Sequence, residues 1–256
     1  MPNATRILVL GQSNSGGAQL GDPSEAWPNI LANSLPSLLG SPVDLTFRTF
    51  YAHASGANAY LARELARERP DVAILVLAPF AFHVAMVGHG VRRRYGERVG
   101  NAYQLIERRF ARASRAGGTL GSAVDRLARR LAHAILGAAP VASYDAVIEG
   151  TAQAMRTLAR EEQIHVVALQ GFIRVPSGNG AVVRRRRALL RRFIVETRAL
   201  TEQLHVTYLE LPQGTLQSSD EFFLSDSTHL APNAHRAIAA TILGAFTDGR
   251  IPTDPE

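Results

Sequence analysis

Ile7-Leu8-Val9-Leu10-Gly11-Gln12-Ser13-Asn14-Ser15-Gly16-Gly17 decides how this chain is read. Four apolar residues in succession, with nothing polar among them, predict a short strand buried on both faces, as in a parallel sheet. The run stops at Gly11, and small polar residues and glycines follow, the composition of a sharp turn that exposes a hydroxyl. In open α/β sheets ligands bind just outside the carboxyl ends of the strands. Ser13 is therefore a nucleophile candidate by position. The same stretch also reads as a plain Gly/Ser turn with no chemistry, and the remaining chain has to decide between the two.

Outward from this strand the pattern alternates. Ser24 is placed to N-cap a helix over Glu25 to Leu35, with Trp27, Ile30, Leu31 and Leu35 as its apolar stripe. A strand is predicted at Val43 to Phe50, a Gly/Ala/Ser turn carries His53, Ser55, Gly56 and Asn58, and a helix runs from about Tyr60 to Arg69, stopped by Pro70. Val72 to Leu77 is a second wholly apolar strand. Later come a helix from Tyr144 to Glu161, with Val147, Ala154, Met155 and Leu158 inward, and a strand from Ile164 to Leu169. A helix from about Val183 to Leu204, a strand from His205 to Leu211 and a last helix from Pro232 to Phe246 follow. Alternating strands and helices predict one α/β domain with a five-stranded, mainly parallel sheet covered on both faces.

Composition sets the outer limits. The 256 residues are 46% hydrophobic and 20% charged, which suits a globular domain and excludes a disordered chain. There is no cysteine, so disulfides, thiolate nucleophiles and thiolate zinc sites are excluded. No run of apolar residues is long enough for a transmembrane segment, and Arg6 leads straight into the first strand, so a cytoplasmic protein is expected. All 28 basic side chains are arginine, and the net charge is +6. Arginine favours anionic partners such as phosphate or headgroups.

Residues 84 to about 143 break the alternation. Arginine clusters stand at Arg92 to Arg94 with Arg98, at Arg108, Arg109, Arg112 and Arg115, and at Arg126, Arg129 and Arg130. Ala102 to Arg115 and Ser122 to Leu136 have amphipathic helical spacing and no strand is visible, so this is a helical insertion. It reads as a cap with solvated arginines, a substrate lid, or a patch for an anionic surface. The run Arg184 to Arg187 with Arg191 and Arg192 lies on a helix whose Leu189, Phe193, Leu200 and Leu204 form the opposite face. No RNA- or DNA-reading motif accompanies it, which argues against nucleic acid.

A partner for Ser13 stands near the other end, in Leu224-Ser225-Asp226-Ser227-Thr228-His229. An Asp and a His three residues apart in a strand-to-helix loop can converge on the sheet edge that carries Ser13. His229 would then take the serine proton, and Asp226 would fix and stabilise the imidazole. A metal site of Asp226, His229 and His235 lacks further ligands. His235, one or two turns into a helix, suits packing or capping.

Gly11-Gln12-Ser13-Asn14-Ser15 with Asp226-x-x-His229 resembles the SGNH (GDSL-type) hydrolase superfamily, in the Gly-Gln-Ser-Asn form familiar from carbohydrate acetylesterases. Ala26-Trp27-Pro28 is similar to the segment after the nucleophile in bacterial lysophospholipase/thioesterase members. Ser55-Gly56 matches the second block, whose glycine amide donates to the oxyanion, and Pro70-Asp71-Val72 precedes the third strand as in the family. The likeness covers residues 5–80 and 144–246. It implies a three-layer α/β/α, flavodoxin-like fold, with residues 84–143 inserted into a single domain. It also implies an esterase acting on a small-molecule carboxylic ester with a Ser13–His229–Asp226 triad. The Ser13 and Gly56 amides would form the oxyanion hole, and the chemistry requires no metal or organic cofactor.

One block departs. Where the family has Gly-x-Asn-Asp, this chain has Ala78-Pro79-Phe80-Ala81, and Phe80 stands where an asparagine donor would be. Asn58, His83 and Asn14 are candidates to refill the hole, and Gln12, Asn14, Phe80 and His83 are candidates to line the substrate. Three readings remain open: ester hydrolysis, acyl transfer to a non-water acceptor, and a weakened fold that binds an anionic surface through the insertion.

Overall fold

The computed structural model describes residues 4–12, 15–17, 20–83, 85–103, 105, 139–175, 178–211, 216–217, 220–224 and 229–252. The described chain divides into two compact units, residues 1–79 with 145–256, and residues 80–144.

In the first unit the apolar run becomes the middle of β1 (Thr5–Gly11), where Ile7, Leu8, Val9 and Leu10 are all almost wholly buried. After α1 (Trp27–Leu39) the chain forms β2 (Val43–Thr49), then α2 (Ala57–Glu68) and β3 (Val72–Leu77). The sheet is completed by β6 (His165–Gln170) and β8 (Thr207–Glu210), in the order β2-β1-β3-β6-β8, with every pair parallel. This is the flavodoxin-like order, in which the direction of winding reverses between β1 and β3. The expected five-stranded α/β fold is the one found.

Alternation along the strands assigns the layers. Ile7 and Val9 pack in one cluster with Trp27, Leu31 and Leu35 of α1 and with Ile238, Ile242 and Phe246 of α7 (Pro232–Thr247). The right-handed rule for crossovers between parallel strands assigns α2, α5 (Tyr144–Ala159) and α6 (Ala181–Gln203) to the other face. There Leu8, Leu10, Leu61, Met155, Leu158 and Phe193 are buried. The stripe expected for α5, Val147, Ala154, Met155 and Leu158, is the buried one.

Two local expectations change. Ser24 does not cap α1: a 3-10 turn, Pro23–Glu25, intervenes, Asp22 caps that turn by accepting from the Ser24 amide at 2.8 Å, and α1 starts at Trp27. The inward face of α6 is built on Leu190 with Phe193, Thr197, Leu200 and Thr201, not on Leu189, which together with Leu204 is half-buried. The two threonines pass as core residues because their hydroxyls bond back to the helix, Thr197 Oγ1 to the Phe193 carbonyl at 2.7 Å and Thr201 Oγ1 to that of Arg198 at 2.7 Å. A two-residue parallel ladder, β7 (Ile173–Arg174) with β9 (Leu216–Gln217), lies outside the main sheet.

The second unit is not purely helical. After α3 (Phe80–His83), β4 (Ala85–Met86) pairs antiparallel with β5 (Ala139–Pro140), and α4 (Val87–Tyr95) lies between them in the chain. Two residues per strand are too few for a period of two to show in sequence. The ladder and the bond from the Ala142 amide to the Ala81 carbonyl, 3.0 Å, join the beginning of this unit to its end. Residues 97–103 are helical. Most of the two amphipathic segments expected over 102–136, with the arginine clusters from Arg108 to Arg130, lies outside the described residues. Among the described residues no helix is long and apolar enough to cross a membrane.

Candidate active site

The switch point between β1 and β3 is where a ligand crevice forms in this topology, and the chain leaves β1 there at Gly11-Gln12. The Gln12 carbonyl accepts from the Ser15 amide at 2.9 Å, so the chain doubles back at once. Gly11 is required by space: a Cβ at this position would stand 2.7 Å from the Ser15 Cβ. The carbonyl of Gly11 accepts from the Phe50 amide at 2.8 Å, which ties the end of β1 to the end of β2. Gln12 is buried and, with His53 and Thr151, lines a cavity of about 10 Å3. That holds at most one water, so this cavity is no acyl pocket. Ser13 and Asn14 lie outside the described residues.

Past β2, Gly56 adopts φ 78° and ψ 7° and forms the N-cap of α2. This left-handed conformation costs an L-residue roughly 1–2 kcal/mol. A Cβ there would touch nothing within 4 Å, so the demand is conformational and not steric. Among the described residues the Gly56 N–H has no backbone acceptor. Asn58 is exposed on the first turn of α2.

His229 reaches the same edge from the far end of the chain. Phe223 and Leu230 form an antiparallel bridge, and the Leu224 amide donates to the His229 carbonyl at 2.8 Å. This closes the loop that contains Asp226, itself outside the described residues. Half-buried His229 then stands three residues before α7, whose first residue is Pro232.

The two chain ends are fastened together just beyond these loops. The Trp27 amide, at the start of α1, donates to Nδ1 of His235 at 3.2 Å. His235 is 1% exposed, and burial pushes its imidazole down from 6.5 to about 4, so it is neutral and accepts. Ala26 has no side chain to cap α1, and a histidine 208 residues away supplies the acceptor. Arg236 and Glu25 add an ion pair at 3.6 Å across the same junction. Sequence spacing indicated capping for His235 but not which helix it caps.

Two further candidates belong to the second unit. Phe80 opens α3 and His83 closes it, both half-buried in the second unit. Gln170, which ends β6 and was not singled out from sequence, is fully buried. Its Nε2 reaches the Leu77 carbonyl at 3.5 Å, while Oε1 has no hydrogen-bond partner among the described residues. The available signal was a polar residue closing an otherwise apolar strand, at the edge where ligands bind. Among the described residues no three His, Asp or Glu side chains gather as a metal site.

No family model and no curated protein matches this chain. Solved structures do. The crystal structure of TesA is similar over 95% of this chain and 99% of that one, at 15% identity and TM-score 0.56. A member of the lipolytic G-D-S-L family from Veillonella parvula matches over 95% and 99%, at 11% identity and TM-score 0.52. A family 3 carbohydrate esterase from Clostridium thermocellum matches over 98% and 100%, at 9% identity and TM-score 0.53. At such identities the likeness is one of fold, and the fold is the α/β architecture of these hydrolases.

Proposed function

We propose that this chain is a serine esterase of the SGNH type, cleaving an acetyl or short acyl carboxylic ester. Ser13 Oγ attacks the ester carbonyl while His229 accepts its proton, and Asp226 holds the imidazole and balances its charge. The proton passes to the leaving alkoxide, an acyl-enzyme forms on Ser13, and water activated by His229 hydrolyses it. The Ser13 and Gly56 amides donate to the tetrahedral oxyanion.

The observation that carries this reading is the bond from the Trp27 amide to His235. It fastens the helix that follows the serine loop to the helix that follows the histidine loop, at the carboxyl edge of the sheet. The left-handed turn at Gly56 and the fold shared with esterases support it further. Phe80 cannot donate, and a missing oxyanion donor costs about 10²–10³ in turnover, so a modest rate is expected.

The test is hydrolysis of short p-nitrophenyl esters together with fluorophosphonate labelling. Ser13→Ala is expected to abolish both, and His229→Ala to abolish turnover. Hydrolysis that survives Ser13→Ala overturns the assignment.

A further inference from the structure

The arginines of α6 are not spread along it. Six of them, Arg184 to Arg187, Arg191 and Arg192, fall in its first half, and no acidic residue precedes Glu196. The second half is balanced: Arg192 pairs with Glu196 at 2.6 Å and Arg198 with Glu202 at 3.7 Å. Arg184, Arg185, Arg186 and Arg191 have no acidic partner among the described residues.

Topology places this charge. A helix that connects parallel strands runs antiparallel to them, so α6 starts at the carboxyl edge and returns to the amino edge, where the Val206 amide meets the Thr201 carbonyl ahead of β8. The basic half of α6 is therefore on the edge that carries Gln12, Gly56 and His229.

The outward face is also not purely polar. With Leu190, Phe193, Thr197 and Leu200 inward, the helical period turns Arg184, Arg191 and Arg198 outward in one row. On this face Val195, four residues from Arg191 and three from Arg192 and Arg198, is 66% exposed. Guanidinium groups around an exposed aliphatic side chain suit a lipid headgroup layer, where the charge meets phosphate and Val195 enters the acyl boundary. The exposed face offers no aromatic ring on which a base would stack and no amide in the basic half to read a base edge.

We propose that the outward face of α6 from Arg184 to Val195 docks the protein on an anionic phospholipid bilayer, with the carboxyl edge of the sheet turned to the membrane. The biological sense of this docking rests on the esterase reading, since it would present acyl esters from the surface. The binding itself does not depend on catalysis.

The test is co-sedimentation of the full chain with vesicles of phosphatidylcholine and of mixed phosphatidylcholine and phosphatidylglycerol, over rising salt. Binding is expected to the anionic vesicles alone and to weaken with salt. The triple variant Arg184→Gln, Arg185→Gln, Arg191→Gln is expected to lose on the order of 100-fold in partitioning, and p-nitrophenyl ester turnover to stay unchanged. Val195→Gln, which keeps the charge, is expected to lose severalfold. Ser13→Ala is expected to bind as the parent does, so a failure of the esterase reading shows separately. Equal binding to neutral vesicles, no binding at low salt, or a triple variant that binds like the parent overturns the proposal. So does displacement from vesicles by duplex DNA at equal phosphate concentration.

Discussion

The two edges of the sheet are built on opposite rules. At the amino edge every group named is used. The Asp71 carboxylate accepts from the Arg6 amide at 2.7 Å and from its guanidinium at 3.0 Å, the Asp71 amide donates to the Arg6 carbonyl, and the His165 amide donates to that of Asp71. His165 Nε2 meets Thr207 Oγ1 at 2.9 Å. The cleft beside this seam, about 610 Å3, is lined by Arg6, Arg69 and Asp71. Yet among the described residues it is the carboxyl edge that holds groups the fold leaves open: the Gly56 amide has no backbone acceptor, Gln170 Oε1 no hydrogen-bond partner, and Arg185, Arg186 and Arg191 no acidic partner. A large cleft does not by itself mark the site, because a polar group committed to the fold cannot serve a reaction.

The sharpest way to break this contrast is Gly56→Ala. A side chain fits the space but disfavours φ 78°, so the turn relaxes and the amide is redirected. Turnover is expected to fall about 10²–10³-fold, while urea unfolding moves by only ~1 kcal/mol. An activity loss no larger than the stability change predicts would show that Gly56 serves the fold alone.

The fold was legible because its strands are apolar runs that nothing else explains: Ile7 to Leu10 and Val72 to Leu77 are buried as read. The candidate site was read for another reason. Small polar residues after a strand, and an Asp-x-x-His loop before a helix, stand out in sequence, and of Ser13, Asp226 and His229 only His229 is among the described residues. Contacts across long sequence separations were not legible. Nothing near Trp27 announces His235, and nothing near Gln170 announces that its amide stands beside the Leu77 carbonyl. The β4–β5 ladder was hidden because two-residue strands have no period.

The junction at His235 predicts a pH effect on stability larger than that of the Arg6–Asp71 pair at the amino edge. Its folded value of about 4 lies below the ordinary 6.5, so the unfolded chain takes up the proton first. The contribution is complete above pH 6.5 and is lost as pH falls toward about 4, roughly 3 kcal/mol in all. His235→Asn, whose Oδ1 can still accept from the Trp27 amide, is expected to flatten the urea midpoint between pH 7 and pH 4. A variant that keeps the full slope would place the titration elsewhere.

The smallest effect is expected at the amino edge itself. Burial raises the Asp71 carboxyl, but the hydrogen bonds and charge of Arg6 outweigh it and hold the group below the ordinary carboxylate value. Its stabilisation is present above the ordinary value near 3.8 and is lost as pH falls through the lower folded one. Arg6 is 45% exposed and Asp71 26%, so water screens the pair, and Asp71→Asn is expected to cost only ~1 kcal/mol in urea unfolding. Because the Arg6 amide can still donate to the Asn carbonyl oxygen, the start of β1 keeps its place. Ester turnover should then be unchanged, since the pair lies at the opposite end of the strands from Gln12 and Gly56. A fall in turnover without a matching fall in stability would mean that the large cleft, and not the carboxyl edge, takes part in the chemistry.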